Sequence, residues 1–201
     1  MKPFLRPLAA FGVLSLAACS QPAETTKLDG NWSVSSDESH FSFVSVKSGT
    51  IAEAHTFSDI SGSVLADGAA KIEIPLATVE TNIDLRNERM REYLFQTDTF
   101  PKATVTTKLD PTLFASLGVG DSVTVSVTAT VNLHGEDSEI DTDLIATRVG
   151  ADKVLVETPK PIIVNADDFG LGAGIEKLRD LANLPGITPA VPVTFSLVFT
   201  R

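Results

Sequence analysis

Three arginines in one short stretch carry the chain's most individual polar chemistry. Arg86, Arg89 and Arg91 lie in the segment Leu85 to Phe95, which has no Gly or Pro and is predicted to form a short helix. A guanidinium can donate hydrogen bonds to a carbonyl or a phosphate, so Arg86 and Arg89 are candidates for binding a ligand head group. The alternative is a solvated helix on which the arginines pair with acidic neighbours. Those neighbours are Asp84, Glu88 and Glu92.

Other residues with catalytic potential are few. The three histidines, His40, His55 and His134, lack metal-ligand spacing and are predicted to lie at the surface or in turns. Asp167 and Asp168 are adjacent, and a solvated turn is expected there, because neighbours on a strand point to opposite faces. We assign no catalytic residue, metal site or cofactor. An enzyme using His134 or the Asp167 to Asp168 turn remains the alternative hypothesis.

The elements that must position these residues are mostly β-strands. Asp121 to His134 alternates apolar residues with Ser, Thr and Asn, the period of a strand with one apolar face. Similar alternation flanks the arginine segment and recurs from Val193 to Phe199. Ile175 to Leu184 has the apolar stripe of a helix and is expected to cover one barrel end. The predicted fold is mainly β: an antiparallel barrel of about eight strands with one or two short covering helices.

The apolar strand faces have two interpretations. They could fill a packed core, or they could line a lumen that holds one ligand. Burial of ten CH₂ groups contributes about 8 kcal/mol, whereas association costs roughly 4 to 15 kcal/mol, so only a long chain would be retained. The candidate lumen residues are Phe41, Phe43, Phe57, Ile72, Ile74, Leu76, Val125, Val127, Val131, Phe195 and Leu197.

The N-terminus predicts a lipid anchor. Residues 1–18 begin with basic residues and continue with an apolar run too short to span a membrane. Leu16-Ala17-Ala18-Cys19 resembles a bacterial lipoprotein cleavage site, at which Cys19 would receive lipid; an ordinary secretory signal is the alternative. Residues 19–28 would form a tether and residues 29–201 one domain. Ser20, in place of the Asp that retains lipoproteins at the inner membrane of enteric bacteria, favours the outer membrane.

Charge and cysteine content exclude other classes of protein. The formal net charge of -10 makes nucleic-acid binding unfavourable. Cys19 is the only cysteine, so the chain has no intramolecular disulfide. At 201 residues and 43% hydrophobic content, the chain is expected to form one globular domain.

A set of short motifs, in order along the chain, resembles the YceI-like family. The resemblance covers roughly Asn31 to Arg201 and implies a lipocalin-like barrel that holds a polyisoprenoid or similar long lipid. Lys47 departs from the family, which often has His at that position. The motifs are Thr81-Asn82, Arg86-Asn87, Arg89, Leu94-Phe95, Phe100-Pro101, Leu133-His134-Gly135, Asp168-Phe169-Gly170 and Val193 to Phe199.

The sequence therefore predicts a bacterial cell-envelope lipoprotein, facing the periplasm, that binds or carries a long-chain isoprenoid lipid without catalysis. Its expected partners are a polyprenyl or quinone-like ligand and the membrane that its anchor enters. The alternatives are an envelope enzyme acting on a lipid or quinone, and a filled barrel serving as a stress-related interaction module.

Overall fold

Every strand pairing in the computed structural model of the protein is antiparallel, and the structure describes residues 30–201. The predicted signal peptide, the lipidation of Cys19 and the tether lie outside the described residues. Eleven strands form one sheet. They are β1 (Trp32–Val34), β2 (His40–Lys47), β3 (Ile51–Phe57), β4 (Ser61–Val64), β5 (Ala69–Pro75), β6 (Lys102–Lys108), β7 (Ser122–Leu133), β8 (Glu136–Gly150), β9 (Lys153–Glu157), β10 (Ile162–Asn165) and β11 (Ala190–Thr200).

Eight of these strands close into a barrel, as predicted. Their order is β1-β4-β5-β6-β7-β8-β9-β11, and the ring closes where Ser33 and Val34 of β1 pair with Thr200 and Phe199 of β11. Closure removes the free edges that an open sheet of this size would present. The first half of β11 extends past the ring and pairs with β2 on one side and β10 on the other.

The sequence did not predict β10, and the reason is local. Its residues Ile162, Ile163 and Val164 are consecutive and apolar, so they lack the alternation that marks a half-buried strand. All four β10 residues pair with β11, so this pairing, and not a local alternation of apolar residues, makes the segment a strand. Elsewhere the alternation holds: Val125 and Val127 of β7 are buried, whereas Ser126 between them is exposed.

Two short helices cover one end of the barrel, which we call the capped end. α1 (Asp84–Arg89) continues as a π-helical turn over Met90–Leu94, so the predicted Leu85 to Phe95 helix changes its winding halfway. α2 (Gly172–Leu181) begins and ends three residues before the predicted helix. Gly174 lies against the backbone of Tyr93 and Leu94, where an added Cβ would come within 2.9 Å of both. Glycine at this position therefore lets the two helical segments pack closely.

Four 3-10 turns complete the secondary structure of the described residues. The turn after β5 has Leu76, which was expected on a strand, at its first position, and Pro111 is the first residue of another 3-10 turn. The turns span Ser36–Glu38, Leu76–Thr78, Pro111–Phe114 and Ala166–Phe169, with the π-helical turn Met90–Leu94 as the fifth irregular element. Among residues 30–201, no helix has both the length and the apolar character needed to cross a membrane.

Candidate lipid-binding lumen

The barrel encloses a cavity of about 360 Å³. Among the described residues that line it, only Thr107 and Thr142 carry a hydroxyl group, and none carries a charge. Such a lining offers almost no polar partner to a ligand, so an apolar chain suits the space better than a polar molecule. All eleven predicted lumen residues line the cavity, although their contact with a ligand stays a prediction. They are Phe41, Phe43, Phe57, Ile72, Ile74, Leu76, Val125, Val127, Val131, Phe195 and Leu197.

The cavity wall also includes residues that the sequence prediction missed. Ile140 and Leu144 of β8 alternate with acidic residues, so their strand pattern could have identified them. Leu171 and Ile175 come from α2 and the turn before it, and no strand period could have placed them in a barrel wall. Only the folding of that segment over the barrel end brings them to the cavity.

Aromatic rings close the cavity at the capped end. The ring centroids of Phe41 and Phe57 are 5.9 Å apart, and those of Phe43 and Phe57 are 5.3 Å apart. Phe95, which follows the π-helical turn, joins them at 5.7 Å from Phe57. Edge and stacked ring contacts of this kind stabilise the packing beyond simple burial. α1 and its continuation are therefore joined to the barrel through an apolar contact.

The cavity opens at the opposite end, which we call the mouth. Gly30, Leu65, Ala66 and Pro111 are the only exposed residues among those of the described chain that line the cavity. β5 runs from the mouth to the capped end of the barrel. It starts after the turn at Leu65 to Gly68, and the chain continues from its other end toward α1. A ligand that enters through the mouth would meet apolar side chains along the whole length of the barrel.

Arg86 is held by a carboxylate on β3. Its Nη1 donates to Glu53 Oε2 at 2.8 Å, and its Nη2 donates to the Thr81 carbonyl at 2.7 Å. Glu53 Oε2 also accepts from Lys47 Nζ at 2.6 Å, and hydrogen bonds from these two cations lower the pKa of Glu53, that from Lys47 most. The lysine that departs from the family pattern thus shares a carboxylate with Arg86.

The other two arginines contact backbone carbonyls. Arg89 Nη1 lies 3.3 Å from the Leu181 oxygen at the end of α2, and Arg91 Nη1 lies 3.4 Å from the Ala77 oxygen. None of the three arginines lines the cavity. Arg86 and Arg89 are partly buried on the helix of the capped end, so the structure places them at the closed end of the barrel without exposing them to the cavity.

His55 is buried, and the expectation that it lies at the surface or in a turn was wrong. It is 2% exposed, its ring lies 5.1 Å from that of Phe43, and its Nε2 is 2.8 Å from Ser45 Oγ. It lies on β3 directly opposite Phe43, so the two side chains share one face of the β2–β3 pair. Burial lowers the pKa of His55, and the positive charge of Arg86 lowers it further.

Two of the motif residues fix the turn that leads into α1. Asn87 Oδ1 accepts hydrogen bonds from the Thr81 backbone N–H at 2.9 Å and from the Thr81 hydroxyl at 2.6 Å. Asn87 Nδ2 donates to Glu80 Oε1 at 3.1 Å, and Asn82 between them has a φ of 61°. Thr81 and Asn87 are both buried. The Thr and Arg-Asn motif therefore shapes the backbone that carries Arg86.

The residues of the enzyme hypothesis lie away from the cavity. The His134 ring packs at 4.4 Å on Phe100, and its buried Nε2 has no hydrogen-bond partner in the described part of the chain. Asp167 and Asp168 are exposed on a 3-10 turn, as predicted, next to Phe169, which is 1% exposed. None of these residues lines the cavity, and residues 30–201 contain no group of three potential metal ligands.

Known proteins share this fold and part of this sequence. The YceI-like domain matches residues 32–199. A polyisoprenoid-binding domain from Saccharophagus degradans, implicated in plant cell wall breakdown, has 42% identity and a TM-score of 0.83, over 85% of this chain and 98% of that one.

Two more distant structures show the fold alone. BcnA of Burkholderia cenocepacia has 20% identity and a TM-score of 0.64, over 82% of this chain and 98% of its own. A YceI protein of Campylobacter jejuni has 14% identity and a TM-score of 0.53, over 73% and 84%. No curated protein matches. Since the domain match spans most of the chain and the Saccharophagus degradans domain agrees over nearly its whole length, this protein belongs to the YceI-like family.

Proposed function

We propose that the protein binds or carries a long-chain isoprenoid lipid in its barrel lumen, without catalysing a reaction on it. The observation that carries this proposal is the cavity itself, whose lining among residues 30–201 has no charge and two hydroxyl groups. The relative from Saccharophagus degradans, described as polyisoprenoid-binding, supports the ligand class, because it shares 42% identity over 98% of its length.

Energetics favour a long chain over a small ligand. Each buried CH₂ contributes about 0.8 kcal/mol, so a tail of ten carbons only offsets an association cost of roughly 4 to 15 kcal/mol. A polyprenyl or quinone-like tail buries several isoprene units and exceeds that cost. The presence of the cavity also disfavours a filled barrel as the functional state, because a packed core leaves few voids larger than a water molecule.

The position of the head group depends on which end of the ligand enters first. A tail that enters through the mouth would leave its head near Pro111 and Ala66, in contact with water. Arg86 and Arg89 remain our candidate head-group residues, and they require a ligand that reaches past Phe43 and the neighbouring rings at the capped end. A carbonyl or phosphate oxygen there could accept from a guanidinium.

We further propose that the protein is a periplasm-facing lipoprotein of the bacterial cell envelope. The support is the short apolar N-terminal run that ends in Leu16-Ala17-Ala18-Cys19. A lipoprotein anchor with more than one acyl chain is sufficient for stable membrane attachment. The anchor would keep the barrel beside the bilayer in which isoprenoid lipids reside, and Ser20 favours the outer membrane.

Native ligand recovery tests the lipid-binding function directly. The protein is purified from its own host, extracted with organic solvent, and the extract analysed by mass spectrometry. We expect about one isoprenoid lipid per barrel. Recovery of no stoichiometric lipid, together with no uptake of an added isoprenoid quinone by the purified protein, would overturn the proposal.

A further inference from the structure

The mouth of the lumen is surrounded by a rim that exposes large apolar side chains. We define the mouth rim as residues 65–68, 109–120 and 148–151. Leu65, Leu113, Val119 and Val149 of this rim are 45%, 47%, 58% and 46% exposed. They are half of the eight exposed large hydrophobic residues in the described part of the chain, and all four lie at one end of the barrel.

Hydrogen bonds join the three segments of the mouth rim into one frame. The Leu109 N–H donates to the Gly68 oxygen at 2.9 Å, and the Gly120 N–H donates to the Arg148 oxygen at 2.8 Å. Arg148, which is 1% exposed, donates from Nη1 to Leu117 at 3.0 Å and from Nη2 to Ala151 at 2.9 Å. The buried guanidinium thus holds the rim in a fixed shape.

The glycine in the first segment is required for this arrangement. Gly68 has a φ of 88°, and a Cβ added to it would collide with the Leu109 carbonyl. Only glycine adopts such a backbone easily while allowing so close an approach. The β4–β5 turn therefore sits directly on the chain that follows β6, and Leu65 stays beside the mouth.

The charges of the mouth rim and its immediate partners nearly balance, although the whole chain has a formal charge of -10. Three carboxylates face two cations, a difference of one negative charge, and each carboxylate has a partner. The contacts are Asp67 with Lys108 Nζ at 2.8 Å, Asp110 with the Thr112 N–H at 2.9 Å and Asp121 with the Gly118 N–H at 3.0 Å, and the buried Arg148 is the second cation.

We propose that the mouth rim docks the barrel, mouth first, on a zwitterionic phospholipid bilayer, so that lipid passes between bilayer and lumen without crossing water. An apolar surface with balanced charge can enter the interfacial region of such a bilayer without electrostatic repulsion. This inference rests on the proposed function, because it assumes that the lumen exchanges a lipid.

The position of Gly30 favours a bilayer as the occupant of this surface. Gly30 lines the mouth and is the first described residue, so the chain reaches the barrel at this end. Gly30 lies eleven positions after Cys19, so the extended chain between their Cα atoms spans at most roughly 40 Å. A barrel anchored in this way has its mouth at the end where the tether joins it, within reach of the membrane.

Site-specific labelling tests the docking orientation. Leu113→Cys and Leu85→Cys variants of the anchored protein are reconstituted in phosphatidylcholine vesicles and labelled with a fluorophore. Both positions lie at short helical turns and are about half exposed, but Leu85 is at the capped end. The unmutated chain is the labelling blank, because its only cysteine is Cys19. We expect a quencher attached to lipid acyl chains to quench the Leu113→Cys label at least fivefold more strongly.

Equal quenching of the two labels by the acyl-chain quencher, or quenching of both by aqueous iodide alone, would overturn the proposal. Protection of the Leu113→Cys label from both quenchers, with a dimer on chemical cross-linking, would also overturn it, because a second copy would then cover the rim. The quenching and cross-linking measurements do not require a bound ligand. A failure of the docking proposal can therefore be distinguished from a failure of the lipid-binding function.

A transfer assay tests the consequence of docking. Leu113→Glu/Val119→Glu adds two charges to the mouth rim, and Ile83→Glu/Leu85→Glu adds two at equally exposed sites of the capped end. We expect the first pair to slow transfer of an isoprenoid quinone to phosphatidylcholine vesicles at least tenfold, while the bound quinone and the melting temperature stay unchanged. Equal transfer rates in the two double variants would contradict the docking role of the rim.

Discussion

At the scale of single residues, the protonation state of His55 affects the stability of the capped end. It is buried between Phe43 and the segment that carries Arg86, and burial and the nearby cations, opposed by Glu53, lower its pKa from the ordinary 6.5. As the pH falls, the unfolded chain therefore takes up this proton before the folded chain does. Stability from neutral His55 is complete above pH 6.5 and is lost as the pH falls through the lowered folded value.

A pH series tests this role of His55. We expect the free energy of unfolding of the wild-type protein to decrease between pH 7 and pH 5, and a His55→Gln variant to lose most of that slope. Urea denaturation at intervals of half a pH unit measures it, and His40→Gln at an exposed position is the control. Parallel pH curves for wild type and His55→Gln would show that carboxylates, not His55, set the dependence.

The head-group role of Arg86 and Arg89 is tested by comparing three arginines of one segment. Arg86→Gln and Arg89→Gln remove the candidate donors, whereas Arg91→Gln removes a cation whose described contact is an exposed carbonyl of Ala77. We expect each of the first two variants to weaken binding of an isoprenoid lipid by about 1.5 to 3 kcal/mol, the range for a hydrogen bond to a charged donor.

Binding is measured by titrating a fluorescent isoprenoid quinone into the delipidated protein. Arg86 also holds Glu53, so the melting temperature of each variant is needed to separate binding from stability. Equal affinity in all three variants would place the head group at the mouth instead.

For single residues, the sequence predicted exposure where a local turn determines it, but not where distant segments of the chain determine it. The exposure of Asp167 and Asp168 was predicted correctly, because a local turn decides it. His55 was not, because its burial depends on α1 folding over β3 across a long sequence separation. The same fold pairs Arg86 with Glu53 rather than with the acidic neighbours on its own helix.

At the scale of elements, the inward face of β7 determines whether the barrel can hold a ligand. Val125, Val127 and Ala129 line the cavity along its middle. An Ala129→Phe variant would place a ring in the lumen, where it displaces ligand without removing any strand pairing. We expect at least a tenfold loss of bound isoprenoid lipid, with far-ultraviolet circular dichroism unchanged, because the added ring fills existing space.

Its control is Thr124→Phe, which adds the same ring to the outward face of the same strand. Lipid content, measured by solvent extraction and mass spectrometry, should remain at the wild-type value in this control. Full lipid occupancy in Ala129→Phe would mean that the ligand does not occupy the barrel interior.

The strands were largely predictable because period-two alternation records which side faces the core. β7 and β11 match their predicted spans within a few residues, and all eleven candidate lumen residues line one cavity. The π-helical turn at Met90–Leu94 was not predictable, since its residues suit an α-helix equally well and the barrel contact of Phe95 decides the winding. The sequence also could not predict which end of the barrel is open, because this depends on tertiary packing.

At the scale of the whole molecule, the two ends of the barrel have different tasks. The capped end holds a polar group of Lys47, Glu53, His55 and Arg86 behind aromatic rings, which stiffens the barrel and blocks access there. The mouth exposes apolar side chains and lies where the chain enters the domain. A lipid carrier needs this asymmetry, because a lumen open at both ends would admit water and lose its dry lining.

Membrane attachment through Cys19 is the prediction that links this asymmetry to the cell. A Cys19→Ser variant removes the only thiol of the chain, so no acyl chain can be attached there. We expect the variant to leave the membrane fraction, because it can no longer carry acyl chains at that position, and to keep its isoprenoid lipid, because the barrel is unchanged. Fractionation and mass spectrometry of the N-terminal peptide measure both outcomes, with Ser20→Ala as the control. A wild-type peptide without acyl chains, or equal membrane fractions for wild type and Cys19→Ser, would indicate an ordinary secretory signal. Any binding of the protein to the bilayer would then depend on the mouth rim, without a lipid anchor.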